Sequence, residues 1–521
     1  MFDDSNISKE RNLSAAKPGR SVKHMNYIST RGKKVQAPVT AAAAIKQGLA
    51  EDGGLFMPEV IPDLDSQDLA ELCEMSYPER AAYILSRFLT DYSYEELLED
   101  CAAAYAPERF PGGAAPIKKL GDGMFVLELW HGPTSAFKDM ALQIMPKLLS
   151  RALKMTGEER KALILVATSG DTGKAALEGY RDVPGVSIEV FYPVDGVSRV
   201  QKLQMSTQLG DNVAVCAIKG NFDDAQTGVK KIFGDAAMAE LLNKNGVFLS
   251  SANSINWGRL VPQIVYYVSA YCDLINAGEI YAGEKIDVTV PTGNFGNIFA
   301  AFIAKSMGLP INRLICASNK NNILTDFLAT GTYDRNREFY TTMSPSMDIL
   351  ISSNLERLLY VLGGQELTAD LMKKLSTDGR YTVPDELKKK IDEHFSGLFC
   401  DEEGTAEEIR STFENDGYLI DTHTAVGLHS AKKYMEKNRD GMKMLVASTA
   451  SPYKFASDVY ESITGKKPSD ELSALTELSE LTKTEIPYPL RDIDKRKIRF
   501  DKVIDKTAMP EEVLGTLGIK A

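Results

Sequence analysis

The chain is short of everything that announces a metal, a disulfide frame or a membrane. Its six cysteines, Cys73, Cys101, Cys216, Cys272, Cys316 and Cys400, are scattered, and no two form a C-x-x-C pair. That spacing excludes a disulfide scaffold and a zinc site, and fits reduced thiols in the cytoplasm. Only five histidines are present. Neither H-E-x-x-H nor any paired His/Cys spacing occurs, so no metal is expected. The G-x-S-x-G nucleophile elbow is absent too. No apolar run reaches about 18 residues, which argues against a membrane-spanning helix. Positive charge is in deficit: 60 Lys and Arg stand against 72 Asp and Glu, a formal charge of -12. No basic domain stands out, so a general nucleic-acid binder is excluded, whereas a local anion site is not.

What is present is the composition of a globular protein, 44% hydrophobic and 25% charged over 521 residues, enough for about two to four domains. The first 24 residues are polar and lack the apolar centre of a secretory signal, and Asp3, Asp4 and Glu10 count against a transit peptide. They read as a disordered leader, or as an upstream start ahead of Met25. Residues 25–110 read as helical, interrupted by Gly53-Gly54, Pro58 and Pro62. Strand-like runs follow at 163–167, 186–192, 213–218, 286–290, 314–317 and 444–447, with helical segments between them. Continuous apolar runs alternating with helices predict an α/β protein with mostly parallel sheets and crossover helices. Two segments, KALILVATSGDTGKAALEG and KIDVTVPTGNFGNIFAAF, echo one another as strand, glycine loop and helix. Such loops at the carboxyl ends of strands are where these sheets bind ligands.

Lys138 is the residue with the most chemical promise. It lies in HGPTSAFKDMALQ (131–143), where Gly132 and Pro133 make a turn and Thr134 or Ser135 offers a helix cap. Apolar residues then follow at helical spacing until Pro146 should kink or shorten the helix. A lysine in a first helical turn is disfavoured as an ammonium, and a neutral amine is what a Schiff base requires. The loop Thr292-Gly293-Asn294-Phe295-Gly296-Asn297, between strand and helix, is a candidate cradle for a phosphate. It is neither a Walker A loop nor a dinucleotide fingerprint. Thr168-Ser169-Gly170-Asp171-Thr172-Gly173 has the same placement with more hydroxyls, suited to a carboxylate or phosphate, or simply a capped helix start. In Asn253-Ser254-Ile255-Asn256-Trp257-Gly258-Arg259 the guanidinium can grip a phosphate bidentately; a surface cap is the equal alternative. The turn after 444–447, Ser448-Thr449-Ala450-Ser451-Pro452, carries hydroxyls that can face a heterocyclic nitrogen, though an ordinary turn is the commoner explanation. His423 reads as a packed or turn histidine, and His131 as a shaper of the lysine loop.

Taken in order, NYISTRG (26–32), HGPTSAFKD, ATSGDTG (167–173), GNFDDAQ (220–226), ANSINWGR (252–259), PTGNFGN (291–297), SPSMDI (344–349) and DTHTAVG (421–427) resemble the threonine synthases, and among them the longer branch. These are fold-type II pyridoxal-phosphate enzymes. The resemblance implies two mostly parallel α/β domains, a helical N-terminal region over 25–110 and a C-terminal extension over 461–521. The large, cofactor-binding domain would take residues 111–160 and 264–460, with a helical insertion at 365–416, and the small domain residues 161–263. Pyridoxal 5'-phosphate is the implied cofactor and O-phosphohomoserine the implied substrate, giving threonine and phosphate, in a cytoplasmic monomer or homodimer.

By the same resemblance, Lys138 joins the cofactor as an imine and later moves protons. Gly293, Asn294, Phe295, Gly296 and Asn297 hold the cofactor phosphate, and Thr449 faces the pyridine nitrogen. Thr168, Ser169 and Thr172 meet the substrate's carboxylate or phosphate, while Asn253, Ser254 and Arg259 hold its phosphate. Asp171 stands where much of the wider fold family has an Asn that donates to the cofactor's 3'-oxygen. Two anions there would repel, so Asp171 shares a proton with that oxygen or else turns away and caps its helix; the shared proton is the expectation. The rivals are a phospholyase or dehydratase of the same fold, releasing a keto acid and ammonia, and a non-catalytic binding protein.

Overall fold

The structure is a computed structural model that describes residues 24–32, 37–121, 123–168, 170–195 and 197–520. The expected leader therefore lies outside the described residues except for His24. Six strands form one sheet in the order Phe395–Phe399, Ile311–Ser318, Ile286–Pro291, Lys443–Ser448, Met124–Glu128, Ile117–Leu120. Neighbours run parallel except for Ile117–Leu120, which is antiparallel at the edge. A second sheet, parallel throughout, has the order Val503–Asp505, Val213–Lys219, Val186–Pro193, Lys161–Ala167, Val247–Ser250. Central strands are buried from end to end because helices cover both faces: all eight residues of Val186–Pro193 and all six of Ile286–Pro291 are buried. Each fully buried Val, Leu or Ile side chain contributes about 1.5–3 kcal/mol, so these strands anchor whatever loops leave their ends.

The helix Pro262–Asn276 is buried around most of its circumference, as a helix inside a core must be. N-terminal to the sheets, the helices Ala41–Gln47, Ser66–Glu74, Tyr77–Phe88 and Tyr94–Ala104 fill the region that reads as helical in sequence. Thr40, Asp65 and Ser93 cap three of them through their side chains. This region also contains an antiparallel pair, Tyr27–Ser29 with Phe56–Pro58. Fully buried Arg357 ties that pair to the rest, donating to the Phe56 carbonyl at 3.1 Å and the Ile255 carbonyl at 2.6 Å.

One expectation on organisation differs from the structure, and one is filled in by it. Residues 365–416 are not wholly helical: Phe395–Phe399 is the edge strand of the large sheet, and Arg380–Thr382 pairs with Thr332–Asp334. A five-residue strand with Gly397 inside it, set between charged helices, leaves no period-two signal. Residues 461–521 are more than an appendage. Val503–Asp505 extends the small sheet and the helix Met509–Leu517 covers its face, with Met509 and Val513 fully buried against Leu163, Leu165 and Phe191.

Candidate active site

Three adjacent strands of the large sheet deliver the parts predicted from sequence. Ile286–Pro291 ends in the 292–297 loop, Lys443–Ser448 ends at Thr449, and Met124–Glu128 leads to the lysine loop. The lysine loop is stitched to its neighbour through backbone bonds: Leu129 N–H to Ser448 O at 3.0 Å, Phe137 N–H to Thr449 O at 2.8 Å and Ser451 N–H to Ser135 O at 3.0 Å. From the small sheet, the adjacent strands Lys161–Ala167 and Val247–Ser250 bring the 168–173 loop and the 252–259 segment.

Lys138 opens the short helix Lys138–Leu142, and a second helix, Met145–Met155, begins with Pro146 in its first turn, so the proline does divide the pattern. The expected cap is not made by Thr134 or Ser135. Thr134 spends its N–H and hydroxyl on the two carboxylate oxygens of Asp139, at 2.8 and 2.7 Å, and Ser135 takes a left-handed φ of 59° to make the turn. Phe137 occupies the cap position without a side-chain bond. The Lys138 amine faces Ser346 Oγ at 3.3 Å and Asp171 Oδ2 at 3.9 Å. Burial pushes its pKa down to about 8; Asp171 and Asp139 oppose that shift, and Arg259 and Lys454 reinforce it.

The 292–297 loop has the features of an anion cradle. Phe295 stands at φ 63°, and Ser352 and Asn354 bind the carbonyls of Gly293 and Asn294, at 2.7 and 3.0 Å. With the carbonyls engaged, the N–H groups of residues 293–297 meet no acceptor among the described residues. Asn297 gives its Oδ1 to the hydroxyls of Tyr266 and Tyr267, which leaves its buried Nδ2 without a partner. A Cβ on Gly293 would lie 2.7 Å from Ser346 O, so only glycine fits there. An orphaned amide and unpaired N–H groups around a glycine-lined hollow fit the phosphate of pyridoxal phosphate. Thr449 is buried at the adjoining strand end, where a neutral hydroxyl suits a pyridine nitrogen.

The 168–173 loop spends two of its N–H groups internally. Thr168 accepts the N–H groups of Gly170 and Gly173, both at 2.9 Å, so its hydroxyl shapes the loop. Ser169 lies outside the described residues. Thr172 is half-buried on the first turn of Asp171–Tyr180. Asp171 makes no cap bond. It pairs with the fully buried Lys454 ammonium at 2.8 Å and accepts from Gln201 Nε2 at 2.9 Å. Burial alone would raise the Asp171 carboxyl, but Lys454 and then Lys138 hold it well below the usual carboxylate range. Lys454 also donates to Thr134 O at 3.0 Å and Gln204 Oε1 at 3.3 Å, so every proton of the ammonium has an acceptor.

Arg259 is 5% exposed and donates to Ala252 O at 2.7 Å, with no carboxylate partner among the described residues. Burial pushes its pKa down to about 10. A buried guanidinium left without an anion is a site for one. Ser254 leans toward the phosphate cradle through Ser353, at 3.4 Å, which in turn reaches Asn294 Oδ1 at 3.3 Å. Asn253 is exposed at the rim.

Sequence reasoning missed Lys454, Ser346 and the contact of His423 with the Ser346 N–H, at 3.1 Å. A lysine between Tyr453 and Phe455, in the turn Pro452–Phe455 a few residues past a strand, was the available signal for the first. The SPSMDI and DTHTAVG motifs held the other two, but nothing in either motif says that they meet in space.

Two mostly parallel sheets bringing together a buried lysine, an anion cradle and an unbalanced arginine define a class, the pyridoxal-phosphate-dependent enzymes of fold type II. Residues 113–449 match the family described as "Pyridoxal-phosphate dependent enzyme". Residues 26–105 match "Threonine synthase N terminus" and residues 424–512 match "Threonine synthase, C-terminal". The chain belongs to the threonine synthase family. Threonine synthase of Pseudomonas aeruginosa is 39% identical over 452 residues, covering 85% of this chain and 92% of its own. That of Saccharomyces cerevisiae is 34% identical over 521 residues, covering 94% and 98%. Human "Threonine synthase-like 1" is 38% identical, and the alignment takes in 91% of this chain but 66% of that longer protein. Among solved structures, a pyridoxal-phosphate-bound threonine synthase from Brucella melitensis superimposes with a TM-score of 0.84 at 36% identity, covering 94% of this chain and 99% of its own. The yeast enzyme gives 0.85 at 32%, covering 95% and 99%.

Proposed function

We propose that the protein converts O-phosphohomoserine to threonine and inorganic phosphate with pyridoxal 5'-phosphate as cofactor, in the cytoplasm. The observation that carries the reading is a buried lysine with a depressed pKa sharing one site with a buried arginine that has no counter-anion. All six cysteines are free, which supports a reducing compartment.

When bound, pyridoxal phosphate supplies an electron sink conjugated to the substrate's α-carbon. The chain does the rest. Residues 293–297 hold the cofactor phosphate through their N–H groups and the Asn297 amide. Thr449 meets the pyridine nitrogen with a neutral hydroxyl, which suits elimination and replacement. Lys138 Nζ takes protons from the substrate carbons and returns one to the terminal carbon. With a pKa of about 8, both of its forms are populated near neutral pH. Arg259, with Ser254 and Asn253, holds the substrate phosphate before and after the bond to it breaks, which keeps the leaving group in the site for the addition of water. Thr172 and Ser169 meet the substrate carboxylate. The Lys454 ion pair holds Asp171 as an anion, so toward the cofactor's 3'-oxygen it would accept a hydrogen bond and not donate one.

A product assay tests this. The protein is incubated with O-phosphohomoserine while threonine, 2-oxobutyrate and phosphate are quantified, with Lys138→Ala as control. Threonine and phosphate in equal amounts, lost in the control, are expected. Phosphate accompanied by 2-oxobutyrate instead would make the protein a phospholyase on the same scaffold.

A further inference from the structure

The short turn Pro345–Met347 projects Ser346 at the Lys138 amine, and an unusual density of polar contacts fixes that turn. Asp348, which follows it, accepts from Asn319 Nδ2 at 2.7 Å, Asn321 Nδ2 at 2.9 Å and Thr342 N–H at 3.0 Å. The carbonyl of Ser346 lies against Gly293, so the turn is braced on the cradle itself. Its remaining contact is the informative one. The Ser346 N–H donates to His423 Nε2 at 3.1 Å, and His423 Nδ1 lies 2.7 Å from Asp421 Oδ2.

Those two bonds settle the tautomer. Because Nε2 accepts, the imidazole proton resides on Nδ1, facing the carboxylate. Asp421 is itself immobilised: it is fully buried and accepts from the His423 N–H at 2.9 Å, the Thr424 N–H at 3.1 Å and the Thr424 hydroxyl. The Phe455 ring packs on the imidazole at a centroid distance of 4.8 Å. A carboxylate that orients an imidazole which in turn fixes a third group is how such shells hold reacting atoms in place. Here that third group is a serine in contact with the amine that does the chemistry.

We propose that Ser346 is a further catalytic residue, whose hydroxyl holds and aims the Lys138 amine whenever that amine is not bonded to the cofactor, and that His423, set by Asp421, is its positioning residue. A hydroxyl suits the task because it accepts from an ammonium and donates to a neutral amine. It therefore stays bonded through both protonation states of Lys138.

The proposal rests on the pyridoxal-phosphate reading of Lys138, so the test reads cofactor capture as well as turnover. The full-length chain, stripped of cofactor, takes up pyridoxal phosphate while the absorbance of the bound form is followed. Ser346→Ala slows capture and kcat about tenfold, the value of one hydrogen bond, with KM little changed. Ser346→Thr, which keeps the hydroxyl, recovers most of the loss. His423→Phe gives the same loss as Ser346→Ala, and the double variant is no worse than either. Should His423→Phe fail to fold, His423→Gln keeps an acceptor near the Nε2 position and is expected to retain near-normal rates. Unchanged capture and kcat in Ser346→Ala, or losses that multiply in the double variant, overturn the proposal. Failure of even the unmodified chain to capture the cofactor would instead overturn the reading on which it rests.

Discussion

The two glycine loops look alike in sequence and behave as opposites. Each follows a buried parallel strand and opens a helix, yet the N–H groups of residues 293–297 meet no acceptor among the described residues, while in the other loop the Thr168 hydroxyl takes those of Gly170 and Gly173. The difference lies in what occupies the helix start. In one, Asn297 turns its amide nitrogen inward and adds a donor. In the other, Asp171 places a carboxylate in the first turn and Thr168 binds the amides of Gly170 and Gly173. An anion is welcome at the first helix and already present at the second. The same local pattern thus serves two ends: one loop leaves donors open to an anion, and the other sets a negative charge, paired with Lys454, 3.9 Å from the Lys138 amine.

Removing that fixed charge should have the largest effect. Asp171→Asn strands the Lys454 ammonium in the core, and breaking a buried pair from one side costs about 3–5 kcal/mol, read as a lower urea midpoint. The same change withdraws the main influence raising the Lys138 pKa, so that pKa falls below its value of about 8. Capture of pyridoxal phosphate, which needs the neutral amine, then reaches its plateau at lower pH than in the unmodified chain. An unchanged urea midpoint together with an unchanged pH profile would show that Asp171 does not carry the charge balance.

A matched pair of glycine substitutions sharpens the contrast further. Gly293→Ala drives a Cβ into Ser346 O at 2.7 Å and should weaken cofactor binding about 100-fold, as expected for losing two phosphate contacts. Gly173→Ala presses on Thr168 Cγ2 and on Val190 Cγ1 at 2.9 Å, and should lower stability while leaving cofactor affinity alone. Thr168→Val belongs with the second: it strips the acceptor from two buried N–H groups, costs about 1–3 kcal/mol and spares cofactor affinity. Equal effects on cofactor affinity from both loops would erase the distinction.

Much of this was legible in the chain because the informative segments are local. Six of the parallel strands announce themselves as apolar runs, and the lysine and cradle loops declare their chemistry through glycine, hydroxyl and spacing. What stayed hidden depends on contacts between distant segments. Lys454 meets Asp171 across 283 positions (454 − 171), and His423 meets Ser346 across 77; no pattern within either segment encodes such a meeting. Phe395–Phe399 and Val503–Asp505 were missed for a related reason. They are short edge strands, specified by the neighbour they join more than by their own sequence.

The small sheet supplies one more contrast, between Asp171 and Glu189. Both are buried carboxyls in the same domain, but only Asp171 has a lysine to itself. Glu189 sits on Val186–Pro193 beneath the C-terminal helix, accepts from the Thr516 hydroxyl at 3.3 Å and leaves Oε2 unpartnered. Burial and nearby Glu512 push its pKa up to about 8, against the weaker opposing pulls of Thr516 and Lys502. The folded chain therefore holds a proton there that the unfolded chain has released, over the window from the ordinary glutamate range up to about pH 8. That contribution to stability is full at low pH and shrinks as pH rises through the window. Glu189→Gln, which stays neutral, should leave Tm unchanged near pH 4 and raise it by about 2–4 °C above pH 8. Equal Tm values for the two proteins at both pH extremes would mean that the C-terminal helix shields no charge.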